Sequence, residues 1–183
     1  MALFIGSFNP PTKAHLLISL KLHEEFKKII FIPVNSKRKN LVNMINRLEM
    51  LLIYHRKYSF IIVDDIMKDY SFFDYRILDI LKNKYHDNNI IIGSDLLKEL
   101  CNYDQYEYIL KNYNIYVIVR DNENVLKIIN NTFYKYIDKF KIINLDIPIS
   151  STMVRMMIKK QEKLEDVLDN DIISYIHEKH LYF

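Results

Sequence analysis

Glycine, cysteine and tryptophan are scarce in this 183-residue chain, which has two glycines, one cysteine and no tryptophan. The single cysteine, Cys101, cannot form a disulfide within the chain, and no zinc-type cysteine spacing exists. We therefore expect a reducing compartment, the cytoplasm. No apolar run reaches the roughly 18 residues that would predict a membrane-spanning helix. The N-terminus enters an apolar strand directly, so we expect no secretory signal.

The remaining composition is that of an ordinary globular protein: 50% of the residues are hydrophobic and 27% are charged. A chain of 183 residues is long enough for one domain with a sizeable core, and we predict a single domain over residues 1–183. The formal net charge of +3 suits a small anionic ligand. It is too small to indicate nucleic acid, and nothing indicates a membrane partner. The sequence leaves the oligomeric state open, a homo-oligomer included.

Short apolar runs alternate with helical segments from one end of the chain to the other. The predicted strands cover residues 2–5, 29–34, 58–63, 89–92, 115–119 and 140–145. The predicted helices cover residues 13–24, 43–55 and 75–84, two short stretches through 111, residues 123–131, the segment that opens at 150–152, and a tail from 164. Strands that are continuously apolar are typical of parallel sheets covered on both faces. The pattern therefore predicts an α/β, Rossmann-like doubly wound parallel sheet with a C-terminal helical subregion.

The segment GSFNPPTKAH, residues 6–15, joins the first predicted strand to the first helix. Gly6 allows a tight turn, and Thr12 is placed to cap the helix. The N-terminus of a helix carries unpaired N–H groups and partial positive charge, which favour bound phosphate. His15 falls in the first turn of that helix. This segment is therefore a candidate phosphate-binding loop.

A second segment of the same kind is ISSTMVR, residues 149–155. It follows an apolar stretch and opens a helix with three hydroxyl side chains, Ser150, Ser151 and Thr152. The planar guanidinium of Arg155 can bind a phosphate through two donors. Two phosphate-type helix ends, one near each end of the chain, suggest a nucleoside triphosphate held between them.

Four motifs of the chain resemble those of one enzyme family. GSFNPPTKAH resembles the GSFNP-x-T-x-x-H signature of the nucleotidylyltransferase superfamily, and ISSTMVR resembles its ISSTxIR signature. IGSDLL, residues 92–97, and YIHEKHLY, residues 175–182, resemble motifs of the nicotinate and nicotinamide mononucleotide adenylyltransferases. The motifs occur in the family's order and extend over essentially the whole chain. The resemblance implies a Rossmann-like enzyme that makes deamido-NAD or NAD, with pyrophosphate, from ATP and the mononucleotide, using Mg²⁺ with the ATP.

The resemblance also implies which residues form the site. It makes His15 and Arg155 catalytic. It assigns ATP binding to Gly6, Ser7, Phe8, Thr12, His15, Gly93, Asp95, Arg120, Ser150, Ser151, Thr152 and Arg155. It assigns mononucleotide binding to Ser7, Phe8, Asn9, Lys39, Tyr103 and Tyr106. Asp95 can also be read as the N-cap of the helix that follows its strand.

The chain departs from the family pattern in two places. Ala14 stands where the family commonly has glycine, which adds a methyl group close to the nucleotide. The family tryptophan that stacks on the pyridine ring is absent, and Tyr103, or secondarily Tyr106, is the expected replacement. Helix packing is an equally good explanation for either tyrosine taken singly.

Several charged side chains remain ambiguous from sequence. Among Lys37, Arg38 and Lys39 we expect one phosphate contact, with Lys39 favoured, although a solvated loop explains all three. Arg47 is a weaker candidate for the same role. His177 and His180 are three residues apart, and we expect them to pack the tail rather than bind metal.

Other functions are compatible with parts of the sequence. Within the superfamily, the acceptor could be phosphopantetheine or a polyol phosphate, but the IGSDLL and YIHEKHLY motifs disfavour both. A non-catalytic nucleotide sensor is compatible with Ala14 and the missing tryptophan. An RNA-binding module would need an aromatic strand or a basic stripe that the sequence lacks. The preference for nicotinate over nicotinamide mononucleotide is left open.

Overall fold

In a computed structural model of the chain, residues 1–35, 41–70, 74–103, 105–119, 125–145 and 147–183 are described. Within them, six strands form one sheet: β1 (Ala2–Gly6), β2 (Ile29–Pro33), β3 (Ile61–Val63), β4 (Asn89–Gly93), β5 (Asn114–Val119) and β6 (Phe140–Asn144). The helices are α1 (Lys13–Phe26), α2 (Met44–Lys57), α3 (Tyr75–Tyr85), α4 (Ser94–Leu100), α5 (Tyr106–Asn112), α6 (Val125–Thr132), α7 (Ser151–Lys159) and α8 (Asn170–Glu178). A short 3-10 helix, Tyr134–Lys139, precedes β6.

The sheet is parallel throughout, with the strand order β3-β2-β1-β4-β5-β6. The chain builds outward from β1 to β3, and then returns to the other side of β1 to form β4. Connections from β1 and β4 therefore leave in opposite directions, which opens a crevice beyond their carboxyl ends. This order confirms the predicted Rossmann-like doubly wound sheet.

Alternating side chains of each strand face two separate apolar cores. On β1, Ala2 and Phe4 pack with helices α1, α2, α7 and α8, whereas Leu3 and Ile5 pack with helices α3 to α6. All four side chains are buried. Because successive residues of a strand point to opposite faces, a strand covered on both sides must be apolar at every position.

The observed elements differ most from the predicted ones in three places, and other boundaries differ by one or two residues. Strand β3 begins at Ile61 rather than at Tyr58, because α2 continues to Lys57 and Tyr58 donates its main-chain N–H to Tyr54 O. The tail becomes helical at Asn170 rather than at 164, because the Asp169 side chain caps the helix there. The 3-10 helix was not predicted.

Among the described residues, none of the helices combines the length and the apolar character that crossing a bilayer requires.

Candidate active site

A cavity of about 400 Å³ lies at the carboxyl ends of β1 and β4, where the strand order reverses. It brings together residues from the β1–α1 loop, from the start of α4 and from the start of α7. The predicted site residues that line it are Gly6, Ser7, Phe8, Asn9, His15, Gly93, Asp95, Ser150, Ser151, Thr152 and Arg155. The two phosphate-type helix ends seen in the sequence therefore face one space, although 135 residues or more separate them in the chain.

The loop after β1 is shaped by an aromatic ring that folds back over it. Phe8 is buried and has a φ of 46°, in the left-handed region. Its ring lies edge-on to Phe4 and to His15, with centroids 5.4 and 5.1 Å apart. A Cβ on Gly6 would lie 3.1 Å from Phe8 Cζ, so a larger residue at that position would require this ring to shift by a few tenths of an ångström.

His15 is held in one tautomer by the main chain of its own helix. Thr12 is the N-cap of α1, as predicted, and its main-chain N–H donates to His15 Nδ1 at 2.9 Å. The Thr12 hydroxyl oxygen lies 2.9 Å from the same ring nitrogen. A ring nitrogen that accepts an N–H carries no proton, so in the neutral imidazole the proton is on Nε2. The residue that the motif predicted as catalytic thus has a defined ring donor, Nε2–H, and it lines the cavity.

The start of α7 is fastened directly to the β1–α1 loop. Ser150 is the N-cap, and its side chain accepts from Met153 N. Ser151 Oγ donates to Pro10 O at 2.8 Å. Arg155 donates from Nη1 to Asn9 O at 2.8 Å and from Nη2 to Thr152 Oγ1 at 3.1 Å. The guanidinium therefore lies between the two helix ends, and part of its donor capacity is used to hold them together.

Gly93 and Asp95 lie on the β4 side of the cavity. Gly93 itself is the N-cap of α4, so the sequence-based assignment of Asp95 as the N-cap was wrong. Asp95 lies in the first turn of that helix and is exposed. A Cβ on Gly93 would lie 2.7 Å from Asp95 Oδ1, so a larger residue at that position would require the carboxylate to move.

Arg47 is buried and donates to protein oxygens, whereas the sequence made it a weak candidate for a phosphate contact. Its side chain is fully buried at the start of α2. Nη1 donates to Ser7 O at 2.7 Å and to Val34 O at 2.9 Å, and Nη2 donates to Asn35 Oδ1 at 2.6 Å. Burial lowers the pKa of this guanidinium, against an opposing effect of Tyr182. Arg47 thus ties the ends of β1 and β2 together beneath the site.

The buried position of Arg47 also revises the predicted face of α2. The spacing of four apolar residues in the sequence predicts that one face of this helix consists of Ile45, Leu48, Leu51 and Leu52. In the structure Ile45 is 65% exposed, and Leu48 and Leu52 are only partly buried. The face that packs is Arg47, Met50, Leu51, Ile53 and Tyr54. A hydrophobicity pattern counts arginine as polar. It contains no information about the carbonyls at the strand ends that accept the hydrogen bonds of Arg47.

The two candidate stacking tyrosines do not line the cavity. The Tyr106 ring lies edge-on to Phe133, with centroids 5.5 Å apart. Tyr103 is half-buried against the core that α3 to α6 share. Burial raises the pKa of the Tyr103 phenol.

Four predicted cations, Lys37, Arg38, Lys39 and Arg120, fall outside the described residues. At the tail, the His177 ring contacts that of Phe183, with centroids 5.5 Å apart. No group of three or more His, Cys, Asp or Glu side chains in the described ranges is arranged to hold a metal ion.

A model of the cytidylyltransferase-like family matches residues 3–157. The probable nicotinate-nucleotide adenylyltransferase of Flavobacterium johnsoniae is 30% identical, over 100% of this chain and 98% of the relative. That of Acholeplasma laidlawii is 29% identical, over 97% and 94%.

Solved structures of similar shape include the Plasmodium falciparum nicotinic acid mononucleotide adenylyltransferase. Its complex with NaAD has a TM-score of 0.78 and 22% identity, over 99% of this chain and 96% of that one. Its complex with APC has a TM-score of 0.75 at the same identity and coverage. At this identity the likeness shows the fold.

Proposed function

Because the chain belongs to the cytidylyltransferase-like family, and within it to the nicotinate-nucleotide adenylyltransferases, we propose that it transfers the adenylyl group of ATP to nicotinate mononucleotide. The products are deamido-NAD and pyrophosphate. The observation that carries this proposal is the convergence of two helix N-termini, His15 and Arg155 on one cavity at the switch point of the sheet. We take the whole chain, residues 1–183, as one catalytic domain, and the cytoplasm as its compartment.

The reaction requires positioning and charge neutralisation more than acid–base chemistry. A phosphate oxygen of the mononucleotide attacks the α-phosphorus of ATP, and a new P–O bond forms. The bond from the α-phosphorus to the bridging oxygen breaks, and its electron pair leaves with pyrophosphate. Since the attacking oxygen is already anionic, no general base is needed. The chain's task is to hold the two phosphates in line and to stabilise the charge that develops.

The predicted polar and charged residues that line the cavity have the following roles in this scheme. The Nε2–H of His15 donates to the triphosphate as charge shifts onto the leaving group. Arg155, fixed by Asn9 O and Thr152 Oγ1, neutralises the same phosphates. The hydroxyls and amides at the start of α7 bind further phosphate oxygens, as helix N-termini do. Asp95 accepts from a ribose hydroxyl, and Ser7, Phe8 and Asn9 contact the mononucleotide.

Mg²⁺ is the cofactor we propose, and it arrives with ATP. The described residues include no acidic or histidine cluster that would hold the ion in a cage of protein ligands. Such a site fits an ion carried by phosphate oxygens, which is a common mode of Mg²⁺ binding. When bound, the ion supplies further neutralisation of the triphosphate charge.

The proposal is tested by measuring pyrophosphate release from ATP and Mg²⁺ with four acceptors in parallel. The acceptors are nicotinate mononucleotide, nicotinamide mononucleotide, phosphopantetheine and a polyol phosphate. We expect release with nicotinate mononucleotide and an equal amount of deamido-NAD by mass spectrometry. Faster release with phosphopantetheine or the polyol phosphate would replace the proposed acceptor. Nucleotide binding without release from any acceptor would indicate a sensor rather than an enzyme.

A further inference from the structure

The last residues of the chain return to the candidate active site. Helix α8 ends at Glu178, and the chain then turns through His180 and Tyr182, whose φ values are 49° and 71°. Leu181 donates its main-chain N–H to Ile176 O at 3.0 Å, which folds the tail back onto its own helix. The Tyr182 hydroxyl then donates to Asn9 Oδ1 at 2.9 Å, across 173 residues of sequence. The tail thus contacts the β1–α1 loop at Asn9, whose side chain lines the cavity.

The orientation of the Asn9 amide is fixed by this contact and one other. Val42 donates its main-chain N–H to the same oxygen at 3.2 Å. A main-chain N–H can only donate, so the atom that faces Val42 and Tyr182 is the oxygen. The Nδ2 donor is therefore at the opposite end of the amide. Asn9 is 2% exposed, so nearly all of its surface contacts other residues, and it lines the cavity.

We propose that Tyr182 is a positioning residue, whose hydroxyl holds the Asn9 amide so that Nδ2 donates to an oxygen of the mononucleotide. This inference rests on the proposed function, because it assigns the donor to one of its substrates. Asn9 O is held independently by Arg155. The main chain and the side chain of Asn9 are therefore fixed from different elements, the first by α7 and the second by the tail.

The surroundings of Tyr182 keep its hydroxyl a donor. Burial raises the pKa of the phenol, and the positive charges of Arg47 and Arg155 oppose that effect only in part. The phenol therefore stays protonated across the physiological range. Arg47 donates to the carbonyls that follow β1 and β2, and Arg155 donates to a carbonyl of the β1–α1 loop. The phenol therefore lies near the carboxyl end of β1 and near the first turns of α2 and α7.

The test compares two tyrosine-to-phenylalanine variants of the tail. Tyr182→Phe removes the hydroxyl that contacts Asn9. Tyr175→Phe is a matched control, because the Tyr175 hydroxyl bonds Asn46 Oδ1 at 3.0 Å, also an asparagine side chain, and Tyr175 does not line the cavity. We expect Tyr182→Phe to raise the KM for nicotinate mononucleotide about fivefold, the usual weight of one hydrogen bond. The ATP KM should change less, and Tyr175→Phe should match wild type in both constants.

A double-mutant cycle separates positioning from simple structural support. If Tyr182 acts through Asn9, Tyr182→Phe adds no further change in KM when Asn9 is already alanine. If wild type and Tyr182→Phe have equal KM values for nicotinate mononucleotide, the role of Tyr182 is overturned and the proposed function is unaffected. The same conclusion follows from a Tyr182→Phe variant whose melting temperature falls while its KM for both substrates is unchanged. A wild-type protein that releases no pyrophosphate with any acceptor would overturn the proposed function, and this role with it.

Discussion

At the scale of single residues, main-chain groups set the chemistry of the candidate site. The Thr12 N–H determines where the His15 proton resides, and the Asn9 carbonyl determines where the Arg155 guanidinium lies. A donor oriented in advance needs no reorganisation when charge develops on the substrate, which is the main advantage of such sites. Substitutions of His15 and Arg155 should therefore change kcat as well as substrate binding.

His15→Ala should lower kcat by about 100-fold to 1,000-fold, because one preorganised donor to the developing charge is lost. The fold should survive, with a loss of about 1 kcal/mol from the weakened helix cap. Steady-state pyrophosphate release and thermal unfolding check the two parts. His23→Ala, in the same helix but outside the cavity, is the control and should keep wild-type kcat. A folded His15→Ala protein with nearly normal kcat would remove His15 from the catalytic machinery.

Arg155→Ala should raise the ATP KM and lower kcat, and Arg155→Lys should not restore either. Arginine reaches Asn9 O and Thr152 Oγ1 with two nitrogens of one planar group, and an ammonium cannot reproduce that fork. Kinetics at varied ATP concentration give both constants. Values within about twofold of wild type for the alanine variant would contradict the role.

Tyr103 does not line the cavity, so it can stack on the pyridine ring only where the bound mononucleotide extends beyond that space. In that case Tyr103→Ala should raise the mononucleotide KM several-fold, because a stacking contact contributes roughly 0.5–1.5 kcal/mol beyond burial. Tyr103→Phe should be tolerated, since the ring matters more than the hydroxyl. The Tyr106 ring already contacts Phe133, so Tyr106→Ala should act mainly on stability. Unchanged mononucleotide KM in both alanine variants would show that another group holds the pyridine ring.

At the scale of elements, α8 carries the tail and is held to α2 by ion pairs at its first turn. Asp169 is the N-cap of α8, accepting from Asp171 N at 2.9 Å, and it also pairs with Lys57 at 2.6 Å. Asp171 pairs with the same lysine at 2.7 Å, but its own side chain is 63% exposed and caps nothing. The two aspartates therefore separate the effect of a cap from that of a surface ion pair.

Asp169→Ala should reduce the free energy of unfolding by about 1–2 kcal/mol, the range found for lost helix caps. Asp171→Ala should cost at most about 1 kcal/mol, because exposed ion pairs contribute little. Urea denaturation of both variants measures the difference. Equal losses in the two variants would show that the ion pair with Lys57, not the cap, stabilises the start of α8.

At the scale of the whole molecule, buried carboxylates link sheet and helices and make stability depend on pH. Asp64 follows β3 and is 6% exposed. It accepts from Lys84 Nζ at 2.7 Å, from Tyr85 Oη at 2.7 Å and from Ile66 N at 3.0 Å. Burial alone would raise the pKa of Asp64, but these donors outweigh it and hold the pKa below its ordinary value. The contact joins the end of β3 to the end of α3.

A carboxylate whose pKa is lower in the folded than in the unfolded state stabilises the fold above the unfolded value. That stabilisation is lost as pH falls from about 4 through the folded pKa. Asp64→Asn should therefore lower the free energy of unfolding at pH 7, and the difference from wild type should shrink at pH 3. Asp65→Asn, at an exposed ion pair, is the control and should change little at either pH. A constant difference between pH 7 and pH 3 would contradict the assignment.

The sequence alone determined the elements and their order, because strand and helix periodicities are local properties that short stretches encode. Apolar strands separated by helices predict a doubly wound sheet, and in a parallel sheet the loops after β1, β4 and β6 lie at one edge. The residues of GSFNPPTKAH and ISSTMVR could therefore be predicted to meet, and the cavity brings them together. The signal for Arg47 was also present, since it is spaced from Met50, Leu51 and Tyr54 as residues of one helix face are.

Only the tertiary structure decided how those residues are held. The burial of Arg47 depends on the carbonyls of Ser7 and Val34, and the orientation of Asn9 depends on Tyr182 at the far end of the chain. Such contacts join segments that are far apart in the sequence, and no local periodicity predicts them. Their geometry follows from how the helices pack on the sheet, because a hydrogen bond forms only where packing brings donor and acceptor within about 3 Å.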